Sequence, residues 1–243
     1  MTRVYLIRHA EAEGNLYRRA HGWYDALITE NGYRQIEALE QRFADIHVDA
    51  VYSSDLFRTK TTASAIWRPK HLELVTEKQL REILLGDWED KPWAEIAYPN
   101  PESLERFNVM DPDWSVPGAE SLGQVRERVE KAIRKIAARH EGQTVVIVSH
   151  GCAIRCVLGA FHGLSLRESV SMGHSDNTAV SLLEFEGDSV RVIFENDNSH
   201  LPEHLSTFAL QRWWRATDNR KEVNCYFLPY DNSMVLPDRK SVV

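Results

Sequence analysis

The feature that most constrains the fold of this chain is a short apolar run that ends in an arginine and a histidine. Residues 4–7, Val-Tyr-Leu-Ile, have the continuous apolar character of a strand that is buried on both faces of a sheet. Arg8 and His9 follow directly. Because ligands of open α/β sheets bind outside the carboxyl ends of the strands, this run predicts a cation and an imidazole at a binding site.

Two later segments repeat this arrangement. Residues 144–148 form a second β-branched run, which ends in the Ser-His-Gly segment at 149–151. Residues 50–52 form a third strand-like stretch, and Arg58 follows it in the first turn of a predicted helix. The N-terminus of this helix adds its N–H groups and positive dipole end to the same edge. The sequence therefore predicts that two imidazoles and two guanidinium groups share one edge of the sheet.

Strand and helix patterns alternate along the chain. This alternation predicts an α/β fold with three layers, α/β/α, in which a mostly parallel six-stranded sheet lies between helices. The strands are predicted at residues 4–7, 50–52, 72–75, 144–148, 179–185 and 190–194, and a hairpin turn joins the last two. The main helices are predicted after the N-cap Thr29, from about residue 56, after residues 117–121 and from residue 151.

Two segments interrupt the alternation. Residues 11–28 have neither helical nor strand periodicity and predict a long ordered loop over the strand ends. Residues 82–118 contain several prolines and predict a loop-rich, lid-like excursion with one short helix near residues 93–97.

The C-terminal part of the chain has a different character. Residues 1–196 are predicted to form one domain, and residues 197–243 an extension that packs on it without forming a domain of its own. A candidate helix within residues 200–216 carries Trp213 and Trp214, which are expected to pack against the body or against a partner chain. A homodimer is therefore left open.

Composition excludes several classes of function. The net charge of −7 argues against a general nucleic-acid binder, although a few basic residues suffice for an anionic ligand. No apolar run approaches the ~18 residues of a membrane span and no signal-peptide profile is present, so a cytoplasmic protein without membrane contact is expected. Cys152, Cys156 and Cys225 lack the spacing of a disulfide framework or zinc site and are expected to be free thiols.

The joint occurrence of these segments resembles the histidine phosphatase superfamily, which includes the phosphoglycerate mutase-like proteins. The family signatures are Arg-His-Gly-Glu-Thr followed by Asn, then Ser-Ser-x-x-x-Arg, a later Glu, and a final Ser-His-Gly. They correspond here to residues 8–12 with Asn15, residues 53–58, Glu82, and residues 149–151. The resemblance spans roughly residues 1–196 and implies a phosphoglycerate mutase-like fold.

This resemblance implies roles for the residues at the strand ends. His9 would be the nucleophile and His150 a charge-stabilising donor opposite it, an assignment that spacing alone does not make. Arg8 and Arg58 would bind phosphate through their forked donors. For His9 to attack phosphorus, one ring nitrogen must be held by an acceptor such as a backbone carbonyl, so that the other is unprotonated. No metal or cofactor is required, because these cationic and dipolar groups suffice as an anion pocket.

The leaving group of a phosphomonoester needs a proton, and the resemblance assigns the proton donor to Glu82. Glu11 and Glu89 compete for this role on proximity alone. Asn15 and the backbone of Gly151 would be further phosphate contacts.

The chain departs from the family pattern at three positions. Ala10 replaces the usual glycine, which is tolerable if its φ is not positive. Ala12 lacks a hydroxyl that family members commonly offer to phosphate, and Gly14 replaces a usual tryptophan. These changes affect the expected substrate contacts more than the expected nucleophile.

Arg18, His21 and Trp23 of the 11–28 loop are candidates for substrate contact. The alternative interpretation is that the aromatic residues anchor the loop and that the arginines are solvated.

Our leading hypothesis from the sequence is a metal-independent phosphomonoesterase of the histidine acid phosphatase type, acting on small phosphorylated metabolites. The first alternative is a cofactor-dependent phosphoglycerate mutase, which shares the motifs, including a loop like residues 22–25. Mutases carry a longer, more basic insertion after the acid, whereas residues 83–118 hold only Lys91 and Arg106 as basic residues. The second alternative is a non-catalytic module that binds a phosphorylated partner, which would need the arginines but not Glu82.

Overall fold

A six-stranded sheet forms the centre of the protein. In the computed structural model, which describes residues 1–211, the strands are β1 (Thr2–Arg8), β2 (Ala50–Ser53), β3 (Leu74–Thr76), β4 (Thr144–Ser149), β5 (Val180–Glu186) and β6 (Ser189–Asp197). Their spatial order is β3-β2-β4-β1-β5-β6. The first four strands in this order run parallel, whereas β5 pairs antiparallel with β1 and β6 antiparallel with β5. The predicted α/β fold and its mostly parallel six-stranded sheet are confirmed.

Helices flank this sheet. Within residues 1–211 the α-helices are α1 (Glu13–Leu16), α2 (Glu30–Phe43), α3 (Phe57–Trp67), α4 (Trp93–Ala97), α5 (Pro101–Asn108), α6 (Leu122–Arg139), α7 (Gly151–Phe161) and α8 (Thr207–Gln211). The Thr29 hydroxyl caps α2 by accepting a hydrogen bond from the backbone N–H of Gly32. Ser121 and Gln124 cap α6 reciprocally, side chain to backbone. These caps explain why both helices begin where the sequence predicts.

Two hydrophobic clusters cover the two faces of the sheet. One cluster joins Val145 and Ile147 of β4 to the apolar sides of α6 and α7. The other joins Val146 and Val148 of the same strand to α2 and α3. Because alternate residues of a strand point to opposite faces, β4 is buried on both sides, as its continuous apolar run predicts.

Two helices differ from the sequence prediction. The single-turn helix α1 lies within residues 11–28, where a loop without helix was predicted. Helix α5 lies in the 82–118 excursion, and the prediction of loop for this stretch is wrong. Pro101 occupies the first turn of α5, where a helix needs no N–H donor, and the Asn100 side chain caps this turn by accepting from Ser103 N at 3.0 Å. The predicted short helix α4 is confirmed.

The described part of the C-terminal extension ends with α8. The candidate helix within residues 200–216 therefore includes α8, whereas Trp213, Trp214 and Cys225 lie outside the described residues. No helix of the described part is both long enough and apolar enough to cross a bilayer.

Candidate active site

The carboxyl ends of the three adjacent strands β2, β4 and β1 bring the candidate residues together. Arg8 pairs in parallel register with Ser149, so His9 and His150 each follow at the same edge. His9 N donates to the Ser149 carbonyl at 3.0 Å, and the centres of the two imidazole rings are 5.3 Å apart. The two imidazoles that the sequence places at one edge therefore meet.

His9 is held in a single orientation. Its side chain is almost completely buried, and its Nδ1 lies 2.7 Å from the carbonyl oxygen of Ala10. Because a carbonyl only accepts, Nδ1 carries the proton and Nε2 is the basic nitrogen. Burial, followed by the positive charges of Arg58 and Arg8, lowers the pKa of His9 well below its ordinary value of 6.5. Ala10 does not adopt a positive φ, so the replacement of the usual glycine brings no backbone strain.

His150 is buried between two polar partners. Its Nδ1 accepts from Arg58 Nε at 3.2 Å, and its Nε2 lies 2.8 Å from the Ser54 hydroxyl. Burial and the neighbouring Arg58 charge lower the pKa of His150 well below 6.5. Both ring nitrogens therefore bind protein groups, and a direct contact between His150 and a phosphate stays a prediction.

Arg58 organises the loop that precedes α2. Its guanidinium is fully buried and donates to the carbonyl oxygens of Tyr24, His21 and Gly22 at 2.8, 3.1 and 2.6 Å, in addition to its bond to His150. Burial lowers the pKa of Arg58 to about 10, which leaves the group charged at neutral pH. Most of its donors bond to protein acceptors, and a contact between Arg58 and phosphate stays a prediction.

Other candidate residues line a cavity of about 130 Å³, whose lining includes the chain neighbours of the two histidines, Arg8 and Gly151, but not the histidines themselves. Arg8, Asn15, Glu82 and Gly151 all contribute to its wall. Arg8 lies directly over the start of α7, because a Cβ atom on Gly151 would be only 3.3 Å from Arg8 Nε. A guanidinium and the residue that begins α7, Gly151, therefore border the same space, which suits an anion. Within residues 1–211, no group of three or more His, Cys, Asp and Glu side chains is placed to hold a metal ion.

Glu82 is fixed at the N-terminus of α7. Its carboxylate oxygens accept from the backbone N–H groups of Cys152 and Ala153 at 3.0 and 2.9 Å. Glu11 and Glu89, its competitors on sequence proximity, do not line the cavity. Of these three carboxylates, only that of Glu82 therefore belongs to a residue that lines the cavity.

Arg128 of α6 holds the segment that carries Glu82. Its guanidinium donates to the backbone carbonyls of Gln79, Arg81 and Glu82, each at 2.8 Å, and forms an ion pair with Glu120. No spacing in the sequence indicates this role, because the three carbonyl partners are more than forty residues away along the chain.

The three candidates in the 11–28 loop have different positions. Arg18 and His21 line the cavity, whereas Trp23 does not. The Trp23 indole donates to the Glu82 carbonyl at 2.8 Å, and its ring lies 4.5 Å from the Arg81 guanidinium. Trp23 is therefore an anchor of the loop, as the alternative interpretation holds.

The departure at Gly14 is explained by His21. A Cβ atom on Gly14 would lie 1.8 Å from Nδ1 of His21, so no larger residue fits while that imidazole is in place. The His21 ring contacts the His9 ring edge to face, with centres 5.5 Å apart.

Sequence reasoning missed the polar run just before β5. His174, Ser175 and Asn177 line the cavity, and the Asn177 amide donates to the His9 carbonyl at 2.9 Å and to the Asn15 side chain at 3.3 Å. Because β5 is antiparallel to β1, its first residues lie beside the last residues of β1. The sequence does show a polar run before a buried strand. That run reaches the site only because the strand is antiparallel to β1.

Several known proteins resemble this chain in sequence or in fold. The model of the histidine phosphatase superfamily (branch 1) matches residues 4–198. Phosphoserine phosphatase 1 of Hydrogenobacter thermophilus is 34% identical over 203 residues, which cover 84% of this chain and 96% of that protein. A probable phosphoglycerate mutase of Proteus mirabilis is 35% identical over 167 residues, which cover 68% of this chain and 76% of that protein. Among solved structures, YhfR of Bacillus stearothermophilus matches with a TM-score of 0.79 at 32% identity, over 82% of this chain and 99% of that chain.

Proposed function

The chain belongs to the histidine phosphatase superfamily, and from this premise we propose that it is a phosphatase that hydrolyses small phosphomonoesters through a phosphohistidine on His9, without a metal ion. The observation that carries the proposal is the hydrogen bond between His9 Nδ1 and the Ala10 carbonyl. This bond leaves the Nε2 lone pair as the nucleophile. The lowered pKa of His9 keeps the ring neutral at physiological pH.

In the first step, His9 Nε2 attacks the phosphorus atom and displaces the alkoxide of the ester. The N–P bond forms as the P–O bond to the leaving group breaks. Arg8, Asn15 and the N–H of Gly151, which border the cavity, supply donors for the phosphoryl oxygens. Their charges and dipoles are fixed by the fold before the ester binds.

Glu82 carries the proton through both steps. Its carboxyl group donates a proton to the departing alkoxide and then, as a carboxylate, accepts one from the water that attacks the phosphohistidine. The N–P bond breaks, inorganic phosphate leaves, and Glu82 is protonated again. Its position at the cavity wall supports this role. His150 and Arg58 would act behind His9, where the positive charge of Arg58, oriented by its hydrogen bond to His150, supports the developing negative charge on the phosphoryl group.

We also propose a three-layer arrangement around the site and one catalytic domain with a C-terminal extension. The two clusters on opposite faces of the sheet support a three-layer α/β/α arrangement. Residues 1–196 would form the catalytic domain, and residues 197–243 an extension rather than a second domain. Hydrogen bonds from Thr207 to Glu11 and from Gln211 to Asn15 support this assignment for the described part of the extension.

A phosphoglycerate mutase is the second candidate, because one relative at 35% identity is a probable enzyme of that kind. A panel of phosphorylated metabolites assayed without added metal, including 3-phosphoglycerate with its bisphosphate, separates the two. We expect release of inorganic phosphate from several monoesters and little isomerisation of 3-phosphoglycerate. Isomerisation faster than phosphate release would instead assign a mutase.

The nucleophile is tested by His9→Ala. We expect this variant to lose turnover of a generic aryl phosphate while its circular dichroism spectrum stays that of the wild type. Unchanged turnover would move the nucleophile to another residue.

A further inference from the structure

The C-terminal extension forms part of the cavity wall. Thr207, Phe208 and Gln211 of α8 line the same space as Arg8 and Glu82. These three residues lie beyond residue 198, where the match to the family model ends. This wall is therefore built from a part of the chain that the shared family region does not supply.

Helix α8 is hydrogen-bonded to the segment that follows His9 in the chain. The buried Thr207 hydroxyl donates to the Glu11 carboxylate at 2.8 Å, and the Gln211 amide donates to the Asn15 carbonyl at 2.7 Å. Glu11 and Asn15 follow His9 closely in the chain. The position of α8 is thus coupled to the position of the segment that follows His9.

Further bonds hold the residues that lead into α8. The buried Gln35 amide donates to the Leu205 carbonyl at 2.7 Å and to the Thr207 hydroxyl at 3.0 Å. Ser206 donates from its hydroxyl to the Asp176 carboxylate at 2.5 Å. Buried hydrogen bonds of this kind hold residues 205–207 in place, because breaking one leaves a buried polar group without a partner. The Phe208 ring is therefore presented to the cavity from a fixed backbone.

The cavity wall combines cationic and aromatic side chains. Arg8, Asn15 and Gly151 supply donors for a phosphoryl group, and Arg8 and Gly151 are the chain neighbours of the two histidines. Trp93 of α4, Phe107 of α5 and Phe208 of α8 line the same cavity, together with Arg18, whose carbonyl accepts from Trp93 N. An ester whose phosphoryl group binds at Arg8 and Gly151 extends its organic group into the remainder of this cavity, where contact with the aromatic rings gains from burial.

We propose that α8 completes a subsite for the leaving group, in which Phe208 contacts the organic part of the ester and favours aromatic or apolar groups over small alkyl groups. This inference rests on the proposed phosphatase activity and adds to it a class of substrate and the residue that selects it.

The test compares benzyl phosphate with methyl phosphate, whose alcohols have similar acidity, so that the chemical step is matched and only the organic group differs. In Phe208→Ala we expect kcat/KM for benzyl phosphate to fall about threefold to tenfold, and that for methyl phosphate to change less than about twofold. Phe208→Leu keeps part of the apolar contact and should give an intermediate value. Leu210→Ala is the matched control, because Leu210 lies on the same helix, is 53% exposed and does not line the cavity.

Each outcome has a defined meaning. Equal changes for both esters in Phe208→Ala and Phe208→Leu, or no change for either ester, would overturn the subsite. The same selective loss in Leu210→Ala would also overturn it, because the effect would then not depend on the cavity. If the wild type hydrolyses neither of these esters nor any member of the metabolite panel, the proposed function itself fails.

Discussion

The histidines beside the cavity predict an unusually steep loss of stability on mild acidification. Burial is the main cause that lowers the pKa values of His9, His21, His150 and His174 well below 6.5, and nearby guanidinium charges add to it. In the unfolded chain these imidazoles take up protons as the pH falls through about 6.5, whereas in the folded protein they do not. The unfolded state is therefore favoured by acid, and this contribution to stability is complete only above about pH 6.5.

The size of this effect follows from burial. At about pH 5.5, each histidine that stays neutral in the fold but titrates normally in the unfolded chain costs about 1.4 kcal/mol. His9 and His150 are 1% and 0% exposed and should contribute in full, about 3 kcal/mol together. His21 and His174 are partly exposed and contribute less, so that the whole loss is about 3 to 5 kcal/mol. Such a loss is a large share of the ~5–15 kcal/mol that stabilises a typical protein.

Urea unfolding at about pH 7.5, 6.5 and 5.5 measures this loss directly. In His9→Gln we expect the fall in unfolding free energy between the two extremes to be smaller by about 1.4 kcal/mol, because one neutral imidazole is gone. His204→Gln, which replaces an exposed histidine, is the control and should follow the wild type. A wild-type free energy of unfolding that is flat across this range, or an unchanged slope in His9→Gln, would refute the reasoning.

Two further predictions concern the proton donor. Glu82→Gln should lower kcat/KM for methyl phosphate by about a hundredfold or more and for 4-nitrophenyl phosphate by much less, because only the poor leaving group needs the proton. Equal losses would place the acid elsewhere. Arg128→Gln should lower kcat/KM for methyl phosphate by about tenfold and that for 4-nitrophenyl phosphate by less, because it removes three hydrogen bonds to the backbone around Glu82. Arg134→Gln, which breaks a more exposed ion pair on the same helix, is the control and should leave both values unchanged. A loss in Arg128→Gln that is equal for both esters would indicate a purely structural role.

Much of the fold was predictable because its signals are local. The continuous apolar runs of β1 and β4 predict strands that are buried on both faces of the sheet. The N-cap residues Thr29 and Ser121 indicate where two helices begin. Parallel strands carry their following residues to one edge. The meeting of His9 with His150 therefore follows from two strand patterns and one topological rule.

The parts that were missed depend on information that is not local. Proline breaks a helix at most positions, but Pro101 lies in the first turn of α5, where it is tolerated. The hydrogen bond from Ser103 N to the Asn100 side chain, which caps this turn, is visible only in the structure. The Asn177 amide reaches the site because β5 runs antiparallel to β1, a choice that the strand sequence does not encode. Phe208 reaches it because Thr207 bonds to Glu11 across most of the length of the chain.

The roles of Arg58 and Trp23 show a different limit. Sequence identifies a guanidinium and an indole near the site but not which acceptors they meet. In the structure, Arg58 donates most of its hydrogen bonds to carbonyl oxygens of residues 21–24, and the Trp23 indole donates to the Glu82 carbonyl. Both side chains therefore shape the loop over the cavity.

The central claim is that His9 Nε2 receives the phosphoryl group, and trapping the intermediate tests it most directly. The protein is mixed with an aryl phosphate whose phosphorus atom is radiolabelled, and the reaction is quenched in base within one turnover. The protein is then digested, and the labelled peptide is identified by mass spectrometry. The account predicts a base-stable, acid-labile label on His9 that is absent from His9→Ala. Hydrolysis at the wild-type rate with the label on a different residue, or with no label at any quench time, would contradict it.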